Sequence, residues 1–152
     1  MIGAELSAFL QEGLGIYVGT RNAALEPNGA HATAAIVDAD GLHMTVFVPT
    51  VVADRLVGDL RANQQIAVSF GRPVDDRACQ VKGVFVDARD ARDDEREAVA
   101  QQWDAYLRKL ETIGIPRAAT RGWTTWPALA VRFKPTAVFN QTPGPGAGNP
   151  TP

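Results

Sequence analysis

With 152 residues, 45% of them hydrophobic and 21% charged, the chain is long enough for one folded domain and too apolar for a disordered one. A formal net charge of -2 and a pI of about 5.6 supply no general attraction to nucleic acid. The single cysteine, Cys79, excludes an internal disulfide, and Cys79, His31 and His43 lack the spacing of zinc ligands.

Met1 to Gln11 has neither the basic start nor the long apolar run of a secretory signal, and no segment approaches the roughly 20 apolar residues that span a bilayer. A reducing, cytoplasmic setting is the expectation. Leu6, Phe9 and Leu10 recur at helical spacing before Gly13, which predicts a short helix over 4–12. Leu14 to Thr20 reads as a strand. Asn22 to Gly29, rich in Asn, Pro and Gly, reads as a loop. Strands follow at His31 to Val37 and Leu42 to Val48, joined through Asp40-Gly41, a hairpin signal. Pro49 ends the third strand, and Thr50 is placed to cap a helix running to Asn63, with Ala53, Leu56, Val57 and Leu60 on its buried stripe.

Further on, Ile66 to Phe70 and Cys79 to Ala88 read as strands. Residues 92–113 give the clearest helix: acidic residues crowd its first turn, where the dipole favours them, and Val99, Trp103, Tyr106, Leu110 and Ile113 form its stripe. Gly114 and Pro116 stop it. Ala128 to Asn140 reads as the last strand, bent near Pro135. Residues 141–152 are too poor in apolar side chains to pack and read as an extended tail. The division is a 1–140 domain and a 141–152 tail. Six strands joined largely by tight turns, with few helices, predict a mainly β (α+β) fold: an antiparallel, closed or partly closed barrel with flanking helices.

Three segments carry a resemblance. They are His-Ala-Thr-Ala-Ala-Ile-Val-Asp-Ala-Asp-Gly-Leu-His-Met-Thr-Val-Phe-Val (31–48) leading to Leu60-Arg61-Ala62-Asn63, Gln-Val-Lys-Gly-Val-Phe-Val (80–86), and Arg132-Phe-Lys-Pro-Thr-Ala-Val-Phe-Asn-Gln-Thr-Pro-Gly-Pro-Gly (132–146). In this order they resemble the pyridoxamine 5'-phosphate oxidase-like family of FMN-binding split barrels. The resemblance implies a six-stranded split β-barrel that forms a homodimer, with FMN held between the subunits. By position it implies Thr33, Thr45, Thr50 and Arg55 near the phosphate, and Ser69, Gln80 and Lys82 on the following strands. It also implies a small-molecule substrate, while the charge and the lack of a long apolar run predict no nucleic-acid or membrane partner.

The residues themselves leave alternatives at each position. Lys82 and Gln80 share a strand face, so Lys82 is either a cofactor cation or a solvated lysine. Arg55 opposes the helix dipole and calls for an anionic partner, which is a cofactor or a neighbouring aspartate. After Pro49 the chain reads Val51-Val52-Ala53-Asp54, where the family is usually richer in Arg and Lys. Trp123 and Trp126 either wall a flat ring or fill a contact. Trp103 and Tyr106 read as packing, Cys79 as a buried hydrophobe, and His31 and His43 have no nucleophile to serve. No acid, base or nucleophile stands out, as suits a protein whose cofactor carries the chemistry. The leading expectation is an FMN-dependent oxidoreductase. The alternatives are a non-catalytic flavin- or haem-binding protein on the same scaffold, or a deazaflavin-dependent reductase.

Overall fold

The computed structural model describes residues 2–151. Its elements are α1 (Ala4–Leu10), β1 (Gly15–Arg21), β2 (Pro27–Ala32), β3 (Ala34–Val37), β4 (Met44–Pro49), α2 (Asp54–Asn63), β5 (Gln65–Gly71), β6 (Ala78–Asp90), α3 (Arg96–Thr112) and β7 (Ala128–Asn140). The seven strands all pair antiparallel in one sheet of order β2-β1-β5-β6-β7-β4-β3.

The expected six strands are thus seven. The predicted strand 31–37 begins earlier, at Pro27, and breaks at Thr33, whose N–H (2.9 Å) and hydroxyl (3.3 Å) both donate to Phe47 O. Before the break the chain pairs with β1 at one edge of the sheet, and after it with β4 at the other. No β2–β3 ladder closes the sheet; the two edges are joined by the chain itself. The residues expected as a loop over 22–29 shrink to 22–26, because Pro27 opens an edge strand, where a missing N–H is tolerated.

Alternation sends Ile16, Val18, Ile66, Val68, Phe70, Val81, Val131 and Phe133 inward, against Phe9 and Leu10 of α1 and Leu56 and Leu60 of α2. β4 is buried on both faces. Met44, Val46 and Val48 join this core, while Phe47 packs outward with Ala34, Ala128, Ala130 and Val99 of α3. Polar groups lock α3 in place: Lys109 Nζ donates to Glu12 O (2.6 Å) and Gly13 O (2.8 Å). Gly13 has φ +80°, and a Cβ there would overlap Gln102 O. The Gln102 amide in turn pairs with both backbone groups of Ala35 (3.0 and 2.7 Å), covering the free edge of β3.

The C-terminal residues also depart from expectation. Instead of extending, they fold back on β7: Gly148 N–H donates to Asn140 O (2.7 Å), Asn140 N–H to Asn149 O (2.9 Å) and Thr151 N–H to Val138 O (2.8 Å). Backbone hydrogen bonds, which composition does not reveal, hold this segment.

Candidate functional site

The register aligns side chains across the outer face of five strands. One row runs His31, Tyr17, Ser69, Gln80, Phe139 from β2 to β7. The next runs Gly29, Gly19, Ala67, Lys82, Ala137. Apart from Lys82, no side chain in the second row extends past Cβ. Gly19, Ala67 and Lys82 of this row form the floor of a trough, whose cavity of about 570 Å³ is bounded by Arg21, Gln65, Val84 and Thr136.

The two glycines of the row have no internal cause. Neither Gly19 nor Gly29 has a positive φ, and an added Cβ would meet nothing closer than Ala67 O at 3.6 Å and Val18 O at 4.0 Å, ordinary contacts. Glycine inside a strand weakens it, and where the chain itself does not require it, close approach of a ligand or another backbone is its usual role. The trough is also cationic. Lys82 lies 4.8 Å from the Phe139 ring centroid, and among the described residues neither it nor Arg21 is ion-paired; the two rows contain no carboxylate.

At the β2 end, the polar row meets α3. His31 is surrounded by Tyr17, Trp103, Tyr106 and Trp123, with ring centroids 4.9 to 6.2 Å away. Its Nε2 is buried without a hydrogen-bond partner, and burial pulls its pKa from 6.5 to about 4, so the ring is neutral at ordinary pH. Beside it opens a pocket of about 300 Å³ lined by Tyr17, His31, Pro49, Val51, Val52 and Trp123, with Gly122 and Thr124 at its rim.

Of the residues singled out in the sequence, Ser69, Gln80 and Lys82 come together: Gln80 Nε2 donates to Ser69 Oγ (3.2 Å), and Lys82 stands one position along the same face. Thr33 is the strand break. Thr45 lies on the outer face of β4 between Ile36 and Arg132. Thr50 does not cap α2. It opens a 3-10 turn, Thr50–Val52, and its hydroxyl and N–H both donate to Pro127 O (3.2 and 3.0 Å), next to Trp126. Trp126 sits under the Arg96 guanidinium at 5.6 Å. Arg55 pairs with neither Asp54 nor Asp59; its Nη2 donates to Pro27 O (3.4 Å), while Asp59 accepts from Thr20 (2.8 Å). Within one chain these residues therefore form separate groups.

Two features lay outside the sequence reading. His31, passed over for want of a nucleophile, anchors an aromatic cluster with Trp103 and Tyr106, which had read as packing. Alternation from Ile16 and Val18 could have placed Tyr17 outward, but not opposite His31. Asp38, Asp40 and His43 also converge, their ligand atoms within 4.8 Å. Arg132 already holds Asp38 (2.6 Å) and Asp40 accepts from Leu42 N–H (2.9 Å), so this is the polar network of the hairpin. Cys79 is buried as expected, its thiol pushed up to about 11 by burial.

Neither a family model nor a curated protein matches the sequence. Solved structures do match the fold. HupZ of Group A Streptococcus superposes with a TM-score of 0.57 at 17% identity, covering 97% of this chain and 100% of its own. An F420 reductase gives 0.55 at 16% identity, covering 87% and 94%. A protein proposed as a pyridoxamine 5'-phosphate oxidase, from Lactobacillus delbrueckii, gives 0.55 at 14% identity, covering 90% and 92%. At such identities the likeness establishes architecture: the chain has the pyridoxamine 5'-phosphate oxidase-like split-barrel fold, here with seven strands and an unclosed sheet. Among the described residues no helix is long and apolar enough to cross a membrane.

Proposed function

We propose that this protein binds a flavin-type cofactor, FMN first among them, on the trough of β1, β5 and β6, and serves as an oxidoreductase for a small molecule. The observation that carries this reading is the Gly29–Gly19–Ala67–Lys82–Ala137 row: a floor flat enough for a planar ring, with one unpaired ammonium and no carboxylate to repel an anion. Ser69 and Gln80 offer hydrogen-bonding groups in the neighbouring row, outside the cavity lining, and Arg21 adds charge at the cavity wall. A bound flavin would supply hydride acceptance; Lys82, Gln80 and Ser69 would hold and orient it.

The anionic end of FMN meets fewer cations here than the resemblance implies, since Val51 and Val52 occupy the turn after Pro49. Thr33 and Thr50 spend their hydroxyl protons on backbone carbonyls. A homodimer, which the resemblance implies, would add side chains of a second copy beside the trough. The sparse phosphate donors and the lack of an acid or base favour a second reading, a carrier that binds the cofactor without turnover.

Titration of the purified protein with FMN, followed by flavin fluorescence and visible absorption, tests the binding. The expected result is saturable binding to a species of dimer mass, weakened in Lys82→Ala by about 1.5–3 kcal/mol, the range for a charged hydrogen bond. No affinity for FMN, or an unchanged affinity in Lys82→Ala, overturns the site. Turnover with a chemical reductant separates enzyme from carrier.

A further inference from the structure

We infer that a cavity at the start of β1, on the same outer face as the trough, is a binding site for a small uncharged molecule with an apolar body and a carbonyl oxygen. It shares no lining residue with the trough, so the inference stands whether or not the trough holds a flavin.

The backbone leaves the space. Gly15, Gly71 and Ala78 stand opposite one another in a third row, on the far side of Tyr17, Ser69 and Gln80 from the trough. Gly71, at the end of β5, has no positive φ, and an added Cβ would meet nothing within 4 Å, so the fold itself does not call for glycine there. Over this row opens a cavity of about 420 Å³, walled by Tyr17, Pro73, Tyr106 and Pro143 and within the size range of small-molecule sites. Such walls suit an apolar body.

Its polar groups define the rest. Tyr106 is only 6% exposed, and its hydroxyl lies beside Gly15, where a Cβ would come within 3.3 Å of it. Among the described residues nothing hydrogen-bonds to that hydroxyl; Gln102 and Lys109, one turn to either side on α3, are spent on Ala35, Glu12 and Gly13. A buried polar group costs stability until it is paired. Burial also raises the phenol's pKa, which keeps it a donor. Ser69 Oγ, in the same lining, accepts from Gln80 and has its own proton to give. Two donors in one apolar cavity call for an acceptor oxygen. Charge excludes an anion. The Arg72 guanidinium is held by Asp75 (2.9 and 2.7 Å) and Glu12 (3.3 Å), Arg77 turns to Glu5, and the exposed Asp76 carboxylate at the rim has no cation among the described residues. A neutral carbonyl meets all of these conditions.

The test uses the full chain with tyrosine 13C-labelled at Cζ and two probes of one shape, cyclohexanecarboxamide and cyclohexanecarboxylate. Tyr17 and Tyr106 are the only tyrosines, and Tyr106→Phe assigns their signals. The expected result is saturable binding of the amide that shifts the Tyr106 signal, with the carboxylate about tenfold weaker. Tyr106→Phe should bind the amide about fivefold more weakly yet keep or raise its urea midpoint, because the hydroxyl has no partner in the fold to lose. Gly71→Val should fold like the parent and lose the amide, and Asp76→Asn should recover the carboxylate. Lys82→Ala should leave the amide's affinity unchanged, which separates this cavity from the trough. Equal affinity for the two probes, an unshifted Tyr106, a lowered midpoint in Tyr106→Phe, or amide binding that survives in Gly71→Val overturns the inference. So does a Tyr106 signal that moves on dilution without probe while the molecular mass falls, since a second copy would then cover the cavity.

Discussion

Tyr17 stands directly opposite His31 on the β1–β2 ladder and directly opposite Ser69 on the β1–β5 ladder, its ring 5.2 Å from the imidazole and nearly perpendicular to it. One exposed phenol thus joins the aromatic pocket to the polar row that ends at Gln80 and Phe139. Both candidate sites are products of register. A one-residue slip of β1 would turn Ile16 and Val18 outward and abolish both.

Filling the trough separates binding from folding. Gly19→Val places a branched side chain on the floor where the chain leaves room, and valine suits a strand better than glycine. Stability in urea should hold or rise by about 0.5–1 kcal/mol, while FMN affinity falls more than tenfold. If Gly19→Val binds FMN like the parent, the trough is not the site.

Much of the fold was legible. The last strand, Ala128–Asn140, falls where its pattern puts it, and alternation alone placed Gln80 and Lys82 on one outward face. The failures share a cause, which is that backbone partners lie far away in sequence. Pro27-Asn28-Gly29 carries turn residues yet lies on an edge strand, where proline and glycine meet no objection. Thr50 looks like a helix cap until Pro127, 77 residues on, accepts its proton. The site was half legible for the same reason: period two gives the face of each residue, but only the register sets His31, Tyr17, Ser69 and Gln80 in one line.

The depressed pKa of His31 makes folding sensitive to mild acid. Above pH 6.5 the ring is neutral in folded and unfolded chains alike. Between 6.5 and about 4 the unfolded chain takes up a proton that the folded one refuses, so stability falls as pH falls. The loss should be roughly 2 kcal/mol once partial exposure of the ring is allowed for. Urea midpoints over that range should slope in the parent and flatten in His31→Phe. Parallel slopes would show that the ring is protonated in the folded state.

Glu95 acts lower on the pH scale. Its carboxylate accepts two bonds from Arg89 (2.8 and 2.6 Å) and one from Arg92 N–H (2.7 Å), at the 3-10 turn Asp93–Glu95 that leads into α3. The Arg89 bonds, then Arg92 N–H, hold its pKa down to about 2 against 4.5. Its contribution is therefore complete above pH 4.5 and is lost as pH falls toward 2. Glu95→Gln should cost about 2 kcal/mol at neutral pH, with a smaller deficit in acid. An equal deficit at pH 7 and pH 3 would rule out the charge as the cause.

The C-terminal segment should contribute to stability despite its composition. Thr142 Oγ1 accepts from Ala78 N–H (3.0 Å) and donates to Ala78 O (3.2 Å), and the turn beyond it returns residues 148–151 to β7. Removing residues 142–152 frees the backbone of Val138 and Asn140 and strips one wall from the cleft that Asn140, Thr142 and Thr151 share with Phe9 and Cys79. A handful of partly exposed hydrogen bonds predicts a loss of about 1–3 kcal/mol. The urea midpoint should drop accordingly, and Val138 and Asn140 amides should exchange faster while Val68 keeps its protection. Unchanged exchange at Asn140 would mean that the returning turn does not form in solution, and the segment would then be the extended tail that its proline and glycine content suggests.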